Sequence, residues 1–90
     1  MLGHQMFFMH HRSAPSLTMD EEGYDHADER HMRWEAMTSA REMIANAARA
    51  GRNALEESFE VTDKNGKALF NLRFGDALDG SEIPTVYVPL

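Results

Sequence analysis

Cysteine is absent from the sequence, and long apolar runs are absent as well. The first absence excludes disulfides, thiolate nucleophiles and cysteine-based zinc sites. The second excludes a membrane-spanning helix, which needs roughly 20 apolar residues. The opening MLGHQMFFMHHR has no basic leader before an apolar segment and no small-residue cleavage site, so it does not resemble a signal peptide. We therefore expect a soluble, cytoplasmic protein that does not enter the membrane.

Basic residues are also few. Nine Lys and Arg stand against fifteen Asp and Glu, and the formal net charge is -6. Binding to nucleic acid depends on Lys and Arg that neutralise phosphates, so nucleic acid is a disfavoured partner. A local basic patch could override the total, which keeps nucleic-acid binding open as an alternative function.

Motifs of catalysis are missing too. The sequence contains no nucleophile elbow, phosphate loop or zinc-peptidase motif. Carboxylates are dense between Asp20 and Glu29, but an acidic run in a turn before a helix is typical of a solvated surface and a helix cap. Acid–base catalysis would need a pocket with perturbed pKa values. We expect no enzymatic activity and no cofactor.

The residues that are present predict one domain. The chain has 90 residues, and 42% of them are hydrophobic, which is enough for a single modest core. We expect one domain over residues 1–90, with an ordered core at about 5–78. The order of the tail, residues 79–90, is left open. The seven methionines should serve the core and interfaces.

The opening segment, residues 5–11, has the short apolar and aromatic run of a strand. Alternation places Phe7 and Met9 on one face and Phe8 on the other. Both faces are apolar, which predicts a strand that is covered on both sides or that lies at a subunit contact. Residues 17–19 form a candidate returning strand before the acidic turn.

Residues 29–50 have the clearest pattern, that of a long amphipathic helix. Asp28 is a good N-cap, and Gly51 stands where a C′ glycine ends a helix. Six apolar residues recur at helical spacing and form a stripe for burial against a sheet: Met32, Ala36, Ala40, Met43, Ile44 and Ala47.

Residues 58–74 predict a β-hairpin. Asn65-Gly66 favours a type I′ turn, and a loop that keeps Asp63 opposite Ala68 gathers the large apolar residues on one face. These residues are Phe59, Val61, Phe70, Leu72 and Phe74. Residues 85–88, between two prolines, are a candidate edge strand.

Together these elements predict a two-layer α+β domain. Its antiparallel sheet of three to five strands packs against one long helix, in the order β-(β)-α-β-β. Phe7, Met9 and Leu69 are expected on the sheet face away from the helix. Exposed apolar sheet surface marks an interface, so we predict a homodimer formed by sheet-face packing or edge pairing.

Several strings occur in an order that resembles a family of short, uncharacterised bacterial proteins, a domain of unknown function. They are Met6-Phe7-Phe8-Met9-His10, Asp20-Glu21-Glu22-Gly23, Glu35-Ala36-Met37, Ala40-Arg41-Glu42-Met43-Ile44, Phe59-Glu60-Val61-Thr62-Asp63 with Gly66, Leu69-Phe70 and Phe74. The resemblance covers roughly residues 6–78. The chain departs from the family at three places. It has an extra residue and a second histidine after the opening aromatics, it has Trp34 where a small residue is usual, and it continues past Leu78 as a tail. The resemblance implies the fold and no established activity.

All five histidines precede the middle of the helix, which raises the alternative of a His/Met metal site. The weak candidates are His4, His10 and His11, beside methionines whose thioethers suit copper(I). However, His10 and His11 point to opposite faces of a strand, so the ligands do not converge. We therefore predict no metal.

Trp34 is the strongest candidate for contact with a partner. It lies about 120° from the centre of the apolar stripe, so it is either covered by the loop of residues 12–24 or presented to another protein. The candidate interaction residues are Trp34, Arg30, Arg33, Tyr24, Phe7 and Met9. Trp and Arg are favoured interface anchors. The leading hypothesis is a non-catalytic protein-interaction or regulatory module with an unidentified protein partner.

Overall fold

A five-stranded antiparallel sheet and one long helix form the domain in the computed structural model, which describes residues 4–78. The elements are β1 (Gln5–Ser13), β2 (Ser16–Thr18), β3 (Tyr24–His26), α1 (Glu29–Arg49), β4 (Ser58–Asp63), β5 (Ala68–Arg73) and a 3-10 helix (Phe74–Leu78). The α+β class and the two-layer arrangement are confirmed. The candidate strand at 85–88 and the rest of the tail lie outside the described residues. Within residues 4–78, no helix has both the length and the apolar character needed to cross a membrane.

The long strand β1 organises the sheet. The strand order is β2-β1-β4-β5, and β3 pairs with the same outer edge of β1 as β2 does. β3 pairs with residues 5–7 of β1, and β2 pairs with residues 11–13. The sequence predicted the returning strand β2 but missed β3, because the residues Tyr24–His26 follow the acidic turn and contain no apolar run.

A side chain fills the gap between these two short strands. The amide of Met9 donates to Asp20 Oδ2 at 3.0 Å, while Asp20 Oδ1 accepts from the amides of Glu22 and Gly23 at 3.1 and 3.0 Å. One carboxylate thus takes the place of a strand partner and closes its own turn. The acidic turn is therefore a structural element of the sheet edge.

Both predicted ends of α1 are confirmed. Asp28 Oδ1 accepts from the amide of His31 at 2.9 Å, as an N-cap does. At the other end Gly51 adopts a φ of 77°, and the amide of Arg52 donates to the Ala47 carbonyl at 2.7 Å. This is the Schellman arrangement, which satisfies the last free carbonyls of the helix.

The buried face of α1 follows the predicted stripe. Met32, Ala36, Ala40 and Ala47 are buried, and Met43 and Ile44 pack at the margin of the core. Met37 is buried as well, although it lies outside the stripe. The 3-10 helix also packs against α1 and so widens its covered face.

The predicted positions of Phe7 and Met9 on the open face of the sheet, the face away from α1, are wrong. Met9 lies opposite Val61 in the ladder, so it shares the face of Val61. Phe7 and Met9 are only 1% and 7% exposed. Leu69 also packs against the core. The sequence of a strand that is apolar on both faces does not show which face is turned toward the core. In this domain the register of pairing with β4 determines that face.

The β4–β5 hairpin has the predicted pairs but a different turn. Val61 lies opposite Phe70, and Phe59 lies opposite Leu72. However, the amide of Asp63 donates to the carbonyl of Lys67.

The loop therefore has three residues, 64–66, instead of two. The φ angle is positive at Gly66, 84°, and not at Asn65, so the type I′ turn and the pair of Asp63 with Ala68 are wrong. A β-bulge at Leu69 adds one residue to β5 and restores the register that the longer loop would have shifted.

Candidate functional site

A groove lies beside the core, between α1 and the segment of residues 18–24. Its volume is about 350 Å³, within the usual range for ligand sites. Its floor comes from β1 and β4, one wall from α1, and the other wall from the segment after β2. The lining residues are Met9, His11, Thr18, Met19, Asp20, Tyr24, Ser39, Glu42, Met43, Asn46 and Phe59. We call this opening the methionine groove.

Three methionines from three separate elements meet in the methionine groove. Met9 belongs to β1, Met43 to α1 and Met19 to the segment after β2. Met19 is 55% exposed. The chain leaves the sheet after β2, and the bond between Asp20 and the Met9 amide holds it beside β1. Flexible, polarizable thioethers make a surface that adapts to different partners.

His11 lies on the floor of the groove in a fixed position. Its Nε2 lies 2.7 Å from Glu57 Oε1, and its ring stacks on Phe74 with centroids 5.3 Å apart. A second opening of about 300 Å³ shares His11 and Met43 with the methionine groove and continues toward Arg52. The two openings thus adjoin each other at His11 and Met43.

The groove carries negative charge. Burial by itself raises the pKa of Asp20, but the amides of Met9, Gly23 and Glu22, with nearby His10, outweigh it and lower the pKa below its ordinary value. Asp20 is therefore an anion at neutral pH. Burial, with the charges of nearby carboxylates, raises the pKa of Tyr24, so its phenol stays neutral.

His10 has a structural position on the open face of the sheet. The amide of Asp20 donates to His10 Nδ1 at 3.0 Å, and His10 Nε2 lies 3.3 Å from the hydroxyl of Thr62. The side chain is 8% exposed. His10 therefore ties the acidic turn to β4, away from the groove.

The histidines of the metal alternative do not converge. His4 contacts Asp25 at 3.2 Å on the surface, and His10 and His11 lie on opposite faces of β1, as strand alternation predicts. Within residues 4–78, no group of three or more His, Cys, Asp or Glu residues is placed to hold a metal ion.

Trp34 and its arginines lie on another side of the helix from the methionine groove. Trp34 is half-buried, and the guanidinium of Arg41 lies 5.9 Å from its ring centre. Arg41 Nε also donates to the carbonyl of Ala77 at 2.8 Å. Arg33 lies 4.2 Å above the ring of Phe70. Two of the nearby arginines thus make contacts within the domain.

The structure separates the predicted interaction residues. Tyr24 and Met9 line the methionine groove, Phe7 is in the core, and Arg30 is exposed. A role of Trp34 in binding stays a prediction. Sequence reasoning missed Met19, Glu42 and Met43 as neighbours in one site. The high methionine content was the signal available, but it could not say which methionines meet.

A small two-layer α+β domain with an open groove beside its long helix is the class that this geometry defines. Residues 6–75 match the family model described as a domain of unknown function (DUF6894), and the chain belongs to this family. The resemblance to an uncharacterised family is thereby confirmed. Searches of curated proteins and of solved structures gave no match. The description of the family names no activity.

Proposed function

We propose that the protein is a small, non-catalytic interaction module that binds a basic, amphipathic segment of a partner protein in the methionine groove. One observation carries the proposal. Met9, Met19 and Met43 line the same open groove, and two carboxylates, Asp20 and Glu42, line it with them.

The chemistry of the groove fits such a partner. Methionine side chains can bury the apolar residues of an amphipathic helix without demanding one exact shape. The carboxylates of Asp20 and Glu42 can pair with Lys or Arg along the polar margin of that helix. The net charge of -6 favours encounter with basic partners and disfavours acidic ones.

Two model peptides of equal length test this specificity. One repeats leucine and lysine as an amphipathic helix, and the other replaces each lysine by glutamate. Fluorescence anisotropy of the labelled peptides, titrated with the full chain, measures affinity. We expect binding of the lysine peptide that weakens with salt, and no binding of the glutamate peptide.

Variants locate the binding site. We expect Met19→Gln and Glu42→Gln each to weaken binding of the lysine peptide by about 5-fold, or roughly 1 kcal/mol, through lost apolar burial and lost charge. The matched controls are Met6→Gln and Glu56→Gln, since Met6 is 37% exposed outside the groove and the Glu56 side chain is 87% exposed. The controls should bind as the wild type does.

Three outcomes would contradict the proposal. The first is that neither peptide binds, and the second is that the glutamate peptide binds equally well. The third is that the control variants lose as much affinity as Met19→Gln. A salt-dependent shift with DNA or RNA, in place of peptide binding, would support the nucleic-acid alternative instead.

A further inference from the structure

The strand β5 ends the sheet on the side opposite the methionine groove. Within residues 4–78, no strand pairs with its outer edge. The amide of Phe74 donates to the carbonyl of Glu57, next to β4, at 2.7 Å. Backbone direction alternates along a strand, so the amides and carbonyls of Asn71 and Arg73 point away from β4. Both residues are exposed.

This edge has little of the protection that edge strands usually carry. Proline, lysine and bulges normally prevent pairing with another chain. Residues 70–73 contain no proline or lysine, and the bulge at Leu69 lies before them. Among the strands that the structure describes, the backbone groups of Asn71 and Arg73 therefore have no partner strand.

We propose that a second copy of this chain pairs with β5 in antiparallel orientation, with the two-fold axis at Asn71. This interface lies apart from the methionine groove and does not depend on its function. A two-fold axis pairs β5 of one copy with β5 of the other, so the sequence of β5 must be complementary to itself.

The sequence of β5 is complementary to itself when the two-fold axis passes through Asn71. Phe70 of one copy falls opposite Leu72 of the other, which pairs two apolar residues on the helix side of both sheets. Arg73 falls beside the bulged residue Leu69 of the other copy and not opposite another arginine. An axis at Arg73 would place two like charges in contact, which is unfavourable.

The oligomeric state tests the axis directly. Light scattering during size-exclusion chromatography of the full chain should show a dimer that dissociates on dilution. Asn71→Lys places two positive charges across the axis and should make the protein monomeric at the same concentration. The matched control is Asn65→Lys, an exposed position in the turn of the same hairpin, which should remain dimeric.

Cross-linking gives a second readout that does not depend on breaking the dimer. The chain has no cysteine, so the thiol introduced by Asn71→Cys is the only one in the protein. Directly opposite residues in a hydrogen-bonded pair have Cα atoms about 5.5 Å apart, within disulfide range. Asn71→Cys should form a covalent dimer on mild oxidation, and Asn65→Cys should not.

Three results overturn the proposal: a wild-type protein that is monomeric at all concentrations, a dimer that survives Asn71→Lys, or equal cross-linking at residues 65 and 71. Circular dichroism of each variant separates loss of pairing from loss of folding. If Asn71→Lys does not fold, the cross-linking comparison decides.

Discussion

Asp20 shows how one residue can determine the path of a segment. Its carboxylate binds three backbone amides from two parts of the chain, and its own amide binds His10. The sequence predicted an acidic turn here, because Asp and Gly favour turns. It could not predict the contact with Met9, since a hydrogen bond to a distant amide leaves no periodic pattern.

The lowered pKa of Asp20 makes a pH dependence testable. The folded pKa lies below the unfolded value of about 3.9, so the stabilisation is complete above that value and is lost as pH falls through the folded pKa. We expect Asp20→Asn to lower stability at neutral pH by about 1–2 kcal/mol and to reduce the loss of stability below about pH 4. Urea unfolding at several pH values measures both effects.

Glu21→Gln is the control for this experiment, because Glu21 is an exposed neighbour in the same turn. It should keep the wild-type pH profile. An Asp20→Asn profile parallel to that of the wild type would contradict the role of the carboxylate.

Gly23 gives a second prediction at the scale of one residue. Its φ is 81°, and an added Cβ would lie 2.7 Å from Met6 Cε and 2.9 Å from Phe8 Cε2. Gly66 has a similar φ of 84° but open space around it. We expect Gly23→Ala to cost about 1–2 kcal/mol more than Gly66→Ala, since both bear the same backbone strain and only the first meets a clash. Thermal unfolding of both variants measures the difference, and equal costs would show that the contact at Gly23 is unimportant.

Among the elements, the helix was the most predictable. Its ends depend on local signals, Asp28 and Gly51, and its buried stripe has a period that a single sequence shows. The hairpin was predictable in part. Its facing pairs follow from the alternation of large apolar residues, whereas the loop length and the bulge compensate for each other and leave the same pairs.

Deletions test the bulge in β5. Removal of Leu69 should leave Val61 opposite Phe70 and cost only about 1–2 kcal/mol, because it removes the extra residue and one partly buried side chain. Removal of Asn71 should cost far more, because it turns Leu72 to the open face. Circular dichroism and thermal unfolding compare the two. If the Leu69 deletion unfolds the domain and the Asn71 deletion does not, the bulge assignment is wrong.

The whole molecule has two surfaces that no single element predicts. The methionine groove needs β1, α1 and the segment after β2 in their final places. The edge position of β5 follows from the order of the strands within residues 4–78. The fold class and the family could be predicted from local patterns in the sequence. It could not choose between the faces of β1, which is why Phe7 and Met9 were placed on the wrong side.

Locating the bound peptide on the protein tests most directly whether the methionine groove is the binding site. Amide resonances of the isotope-labelled full chain would be followed by nuclear magnetic resonance during titration with the leucine–lysine peptide. We expect shifts at Met19, Asp20 and Met43, with little change at Asn71 or Trp34. Shifts centred on Trp34 and Arg41 would place the partner on the other side of the helix and contradict the proposed groove.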